Sequence, residues 1–549
     1  MPGPHIGTRH RGSSTGLDGP AAASGTGLFS CNGDKGGKTR RITTRGTGRH
    51  AMTRPIAAWI AAAMGAVMTL LPAGTEAAET LKEALAAAYQ TNPDLLAARA
   101  QQRALDETVA RATSRWRPNL SGQFQLFRTD SNSRTLRQRD QSVVSDIDVK
   151  GRNEIYSVRA DQNIFRGLRN FNELKGARAN VFAGRADLLN TEQQVLLDAV
   201  TAYMDVLRDQ AVLKLNDNNV TVLKRQLEAT QDRFDVGEVT RTDVAQAEAR
   251  LAGAKAQRAQ AAAALETSRA TYRRVIGHFP GTLEDAPALP PLPGSEEEAM
   301  AIALEENPLI IAARYREMAA RYDIKVAKGA LLPTIDAFAS YQRAKSPSVT
   351  FDPLLFDFGP ARNIRKATTY GVTVTIPLYQ SGAEYSDIRR SKQIRSQRLL
   401  QIVGAERLVS QNLRTAWENF RAAEAQIAST EAQVRANEIA LEGVKQEALV
   451  GSRTTLDVLN AEQELLDARV NLVRARRDHY VAGFSLLAAL GRLNAKALDL
   501  PVELYDPADY YHDVKWQFIG WGTGPAAREE LARARSGSVR LAGDGAKKR

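Results

Sequence analysis

The chain has 549 residues, a formal net charge of +12, 43% hydrophobic residues and one cysteine. Residues 1–77 hold nine Lys/Arg and three Asp/Glu, so half of the positive excess lies ahead of the folded part; beyond it Lys and Arg are interspersed with Glu and Asp along helical stretches, the pattern of a solvated face, which excludes nucleic acid as a partner. The cysteine, Cys31, precedes the folded part as well, which excludes disulfides and thiolate metal sites there.

Residues 1–51 are rich in Gly, Ser, Thr and Arg without apolar periodicity, and read as disordered or untranslated. Leu28-Phe-Ser-Cys31 has no apolar run before it and is not a lipid-attachment box. Gly37-Lys38-Thr39 resembles the end of a phosphate loop, but Asn32 stands where the first glycine belongs. Met52 opens a basic step followed by the apolar run Ile56–Leu71 and small residues at Thr75 and Ala77, which predicts an export signal over 52–77. No later apolar run is long enough for a membrane helix.

Residues 79–115 read as one helix with a kink or break at Asn92-Pro93. Two strands are predicted at 117–130 and 154–165, where Leu120, Gly122, Phe124 and Leu126, then Tyr156, Val158 and Ala160, alternate with polar residues. A polar loop joins them. Residues 167–235 form one proline-free helix, on the order of 100 Å long and too polar for a globular core. After a turn, 242–277 is a second helix with an alanine-rich face.

The stretch Phe234–Ala247 returns 214 residues later as Ala448–Ala461, and both copies read V-G-x-x-T-x-x-D-V-x-x-A. Asn307-Pro308, Leu332-Pro333, Trp417 and Gly491 answer Asn92-Pro93, Arg117-Pro118, Tyr203 and Gly277 at nearly the same offset, so a whole half-protein is used twice. The repeats span 78–281 and 296–500, joined by a proline-rich linker at 282–295; an irregular region with a basic tail fills 501–549. The second repeat predicts helices at 296–330, 383–450 and 455–490, strands at 334–342 and 369–379 with Pro377 near the last strand's end, and a polar loop at 344–368. In each repeat two short helices laid end to end match the long one, so each repeat forms a two-helix rod.

The repeated turn carries its own chemistry. Gly237 and Gly451 suit the left-handed residue that ends a helix. Thr240 and Thr454 precede Asp243 and Asp457 by three, the spacing of a capping box. Isolated His278, His479 and His512 offer no metal spacing, and no cofactor or catalytic signature occurs. Four strands cannot close a barrel, whereas three copies supply twelve, with six rods in a ring.

The duplicated halves, Asn-Pro breaks, strand pairs and repeated turns together resemble the TolC family of outer-membrane efflux and secretion channels, from Glu79 to Leu504. The resemblance implies a mainly α-helical fold with a membrane β-barrel: long coiled-coil helices of a homotrimer forming an α-barrel across the periplasm, and a 12-stranded barrel embedded in outer-membrane lipid. It implies a periplasmic adaptor and an inner-membrane ABC or proton-driven pump as partners, with Val236, Gly237, Thr240, Val244, Val450, Gly451, Thr454 and Val458 at the tip they meet. Arg453 and Asp457 match the family's gate positions, Asp243 the position that pairs with the gate arginine, and Asn460 a position where a second acid is expected. Asp243 and Asp457 read equally as helix caps. The tail Leu504–Trp516 resembles members serving type I secretion. A periplasmic adaptor would show one hairpin flanked by compact β domains; a structural coiled coil has no use for amphipathic strand pairs. Drug efflux, metal efflux and protein secretion all fit such a duct.

Overall fold

The computed structural model describes residues 78–352, 354, 357–524, 528 and 532. The expected N-terminal extension and export signal, and most of the basic tail, lie outside them.

The first repeat opens with α1 (Leu81–Thr91) and α2 (Pro93–Ser114), two helices where one interrupted helix was expected. Pro93 cannot donate to the preceding turn, and Asn92 takes an extended backbone whose side-chain oxygen accepts from the Asp94 and Leu95 amides. The Asn92 amide also donates to the Val275 carbonyl at 2.9 Å. Val275 lies in the last turn of α4 (Arg241–Ile276), so the break that starts α2 is tied to the place where α4 ends. The second repeat repeats the device. Asn307 separates α5 (Glu296–Glu306) from α6 (Pro308–Gly329), caps Leu309 and donates to the Ala489 carbonyl at 2.9 Å, at the end of α8 (Thr455–Leu490).

The long helices are α3 (Arg169–Asp235) and α7 (Ala383–Leu449), each of 67 residues. The first half of α3 packs on α2 and α6, and its second half on α4 and α8; α7 packs on α6 and α8. The main core gathers at the level of the two Asn-Pro breaks, around Leu85, Leu196, Tyr203, Ile310, Leu413 and Leu490. There the Tyr203 hydroxyl, buried and so pushed above its ordinary pKa, donates to the Glu79 and Glu284 carbonyls. The proline-rich linker packs on this core through Leu283, Leu289 and Leu292.

The strands are β1 (Asn119–Leu136), β2 (Val143–Arg166), β3 (Thr334–Asp352) and β4 (Asp357–Thr375), forming one antiparallel sheet in the order β1-β2-β3-β4. All four are longer than expected, β1 and β3 running past their expected ends and β2 and β4 starting well ahead of their expected starts. The stretches expected as loops, 131–153 and 344–368, are mostly paired strand, including Pro347 and Pro360. Charged and polar residues dominate there and the alternation is confined to short runs such as Asp146-Ile-Asp-Val-Lys150, while the backbone pairing continues. Pro377 lies beyond β4, not within it. The C-terminal region also holds a helix, α9 (Pro507–Val514), capped by Asp506 and laid against α2. Among the described residues no helix is long and apolar enough to cross a membrane.

Candidate functional site

Two places in this fold can meet a partner: the two hairpin tips and the sheet's outward face.

At the first tip the Glu238 amide donates to the Arg233 carbonyl and the Gly237 amide to the Phe234 carbonyl, both at 2.9 Å, with Gly237 at φ +85°. This left-handed ending turns the chain into Thr240, which caps α4. Thr240 and Asp243 complete the capping box: the Thr240 amide donates to Asp243 Oδ2 at 2.9 Å, and the Asp243 amide donates to Thr240 Oγ1 at 3.3 Å. At the second tip Gly451 sits at φ +77°, and Thr454 and Asp457 exchange the same bonds at 3.0 and 3.2 Å. Hydrogen bonds from Thr454 hold the Asp457 carboxyl below its ordinary pKa, with a smaller push from Arg453; Thr240 does the same for Asp243. A carboxyl depressed on folding stabilises the tip at pH above the unfolded value of ~3.9, and that contribution is lost as pH falls through the lower folded value.

The tips differ in their ion pairs. Arg453 Nε lies 2.8 Å from Glu447 Oε2, whereas at the first tip Arg233 Nε lies 3.0 Å from Glu238 Oε2. Arg233 and Glu447 are the same position of the repeat, with opposite charge. Within one chain Arg453 is thus held by Glu447 and Asp243 by Thr240. Asn460 is committed too: its side-chain oxygen accepts from Arg250 at 2.6 Å, joining α8 to α4. Sequence reasoning missed Arg233, Glu238, Glu447 and Arg250, although the 214-residue offset sets the first and third against each other.

Val236, Leu449 and Val450 are 72%, 79% and 80% exposed, so the tips present apolar side chains to solvent. Val244 and Val458, expected among the presented residues, are buried instead. Each lies four residues after its capping threonine, on the face that packs within the helices, and shapes the tip without forming its surface.

The sheet sorts its side chains by face. Directly paired residues share a face, and the rows Leu120–Ala160–Ala339–Tyr370 and Gly122–Val158–Tyr341–Thr368 lie on one side. Val372 and Val374 continue that face toward the helices, and Phe124 packs at a tilt against Tyr156, ring centroids 4.8 Å apart, beyond it. The other face is mostly polar, carrying Asn119, Ser121, Gln123, Ser157, Arg159, Ser340 and Thr373 with Phe338 among them. Such a sheet is built to put lipid on one side and water on the other. The outer edges of β1 and β4 are unpaired among the described residues.

The outer membrane efflux protein family matches residues 84–278 and 300–492 of this chain. The chain is similar to the outer membrane efflux protein BepC of Brucella suis, 36% identical over 84% of this chain and 96% of the relative. It is similar to the outer membrane protein TolC of Vibrio cholerae, 27% identical over 76% of this chain and 92% of the relative. The solved structure of the outer membrane protein VceC from Vibrio cholerae shares its fold with a TM-score of 0.61 at 20% identity, covering 75% of this chain and 96% of that one.

Proposed function

The chain belongs to the outer membrane efflux protein family, and from that premise we propose that three copies close into a passive exit duct, gated at the tips described above. The protein is a subunit of an outer-membrane channel whose helical part lies in the periplasm. The observation that carries the threefold reading is the four-stranded sheet with an apolar face and two unpaired edges. An open sheet cannot stay in lipid with free backbone groups, and twelve strands from three copies remove every edge. A second feature agrees. Along α7, Leu400 and Ile439 are 73% and 75% exposed, apolar side chains that an adjacent copy would cover.

The work of this duct is conduction rather than chemistry. The exposed valines and Leu449 at the tips dock a periplasmic adaptor, which joins the duct to an inner-membrane ABC or proton-driven pump; the pump selects the cargo. The native mass of the chain extracted in detergent from outer membranes tests this reading. Three chains per particle, conducting in a planar bilayer, support it. A soluble monomer would return the chain to the adaptor or coiled-coil readings.

Three Asp457 carboxylates at the tips give the pore its charge preference. Asp457→Asn is expected to move the cation-to-anion permeability ratio severalfold toward unity, read as a reversal potential in a salt gradient. Because the carboxyl is held below its ordinary pKa, the parent's cation preference persists to pH below ~4. Unchanged reversal potentials in the variant would remove Asp457 from the conduction path.

A further inference from the structure

On the strand segments that follow the apolar band away from the helices, the same outward face turns basic. Paired with Phe124 and Tyr156 are Arg343 and Lys366. In the next row come Leu126, Glu154, Lys345 and Ile364; one step further, by strand alternation, come the paired Arg128 and Arg152 of β1 and β2, and Arg362 of β4. Within these three rows six cations share one face with a single carboxylate, and the next carboxylates on that face, Asp130 and Asp148, are paired with Lys150. Glu154 is taken by Lys345 at 3.1 Å and lies 4.0 Å from Arg152. Among the described residues no carboxylate comes within ion-pair distance of Arg128, Arg343, Arg362 or Lys366, and all four are exposed.

The opposite face of these rows carries one cation, Arg365, among polar residues such as Gln123, Gln125, Asn153, Gln342 and Asn363 and the apolar Phe127 and Ile155. A rim charged only for solubility would have no reason to segregate six cations from one. Height fits as well. From Val374 to Lys366 the strand rises ~27 Å at ~3.4 Å per residue, or ~21 Å along the membrane normal at a tilt of ~40°. That spans nearly the whole apolar band of an outer-membrane barrel. The basic rows therefore begin at the far interface, beside the aromatic pair Phe124–Tyr156, where lipid tails end and headgroups begin.

We propose that the outward ladder of Arg128, Arg152, Arg343, Lys345, Arg362 and Lys366 binds the phosphate groups of phosphorylated lipid headgroups in the outer leaflet. Guanidinium forks match phosphate oxygens in pairs, and the neighbouring apolar rows hold the acyl chains of the same molecule. The proposal rests on the outer-membrane reading, which sets the helices in the periplasm and these rows on the outside.

The test uses the full chain purified in detergent as the assembled channel. The combined variant Arg343→Gln, Arg362→Gln, Lys366→Gln is compared with the parent and with Arg365→Gln. The probes are a bisphosphorylated glycolipid from outer membranes, its dephosphorylated form and inorganic phosphate, read by native mass spectrometry of bound adducts. The combined variant is expected to bind the bisphosphorylated lipid about 100-fold more weakly, three charges at roughly fivefold each near an anionic lipid surface. Arg365→Gln binds as the parent does, the dephosphorylated lipid binds weakly to all, and millimolar inorganic phosphate does not displace the lipid. Equal loss in Arg365→Gln, equal binding of the dephosphorylated lipid, or parent-like binding by the combined variant would overturn the proposal. Displacement by inorganic phosphate would assign the ladder to a free anion and overturn the lipid assignment. Each preparation is also scored for pores in a planar bilayer. A conducting parent that binds no lipid refutes the ladder alone, whereas a parent without pores refutes the duct reading and the ladder's orientation with it.

Discussion

Gly329→Ala is expected to cost about 3 kcal/mol per chain and to lower sharply the yield of folded channel in outer membranes. Gly329 ends α6 with an ordinary helical backbone, so alanine brings no backbone strain there. The cost is steric. A methyl group at 329 would run into the Gly167 carbonyl oxygen and stand 2.6 Å from Arg169 Cγ. A methyl at Gly167 would in turn run into the Gly329 carbonyl and stand 2.8 Å from Leu332 Cβ. The two backbones touch where β2 hands over to α3 and α6 hands over to β3, the joint between the sheet and the helices. Gly167→Ala should cost more, because φ is +60° there and a side chain adds about 1–2 kcal/mol of left-handed strain. Gly382, at φ +82° just before α7, has nothing within 4 Å, so Gly382→Ala carries the strain alone. The apparent melting temperatures of the three variants in detergent should fall in the order Gly382→Ala, Gly329→Ala, Gly167→Ala, from least to most destabilised. A Gly329→Ala channel as heat-stable as the parent would show that the joint yields by sliding.

This joint was not legible in the sequence, because Gly167 and Gly329 are 162 positions apart and the repeat of Phe165-Arg-Gly167 as Tyr379-Gln-Ser-Gly382 does not point to Gly329. What was legible had local signals. Pro93 and Pro308 mark helix starts wherever they stand, and an asparagine before each supplies the cap. Thr240-x-x-Asp243 and Thr454-x-x-Asp457 form the boxes that their spacing predicts. The apolar halves of the strands alternate because lipid and water meet across them, and the rows through Leu120 and Val158 followed from that. The outer halves carry that contrast only in short runs, such as Asp146 to Lys150, among many charges. Arg343, Lys345 and Lys366 look like loop charges until pairing puts them on one face. The eight-residue α9 was hidden for another reason. Asp506-Pro507 is a good helix start, but the helix is too short for periodicity to show, and its packing on α2 holds it in place.

Arg453→Ser is expected to raise single-channel conductance severalfold and to let antibiotics too large for the parent leak into cells. The two tips share one backbone, with the same left-handed glycine and the same capping box, so a difference in gating must come from side chains. Arg453 stands where the first repeat has Val239, and it is the only tip cation placed between the glycine and the capping threonine. In one chain it rests on Glu447, on its own hairpin, with Asp457 within electrostatic reach. Both groups are exposed, so that pair holds the arginine weakly and leaves it free to exchange partners. We propose that in the closed ring the exchange is onto Asp243 of the adjacent hairpin, whose carboxyl keeps acceptor capacity beyond its bonds to Thr240. Serine removes the link and leaves the cap of α8 intact, so the tips part without unfolding. Arg233→Ser is the control. It removes an equally exposed ion pair, with Glu238, from the other tip, and conductance should stay at the parent's value. The charge-swapped pair Arg453→Asp with Asp243→Arg should restore low conductance even though each single change opens the pore. Equal opening by Arg233→Ser, or no recovery in the swapped pair, would mean that the tips close by packing of their exposed valines rather than through this arginine.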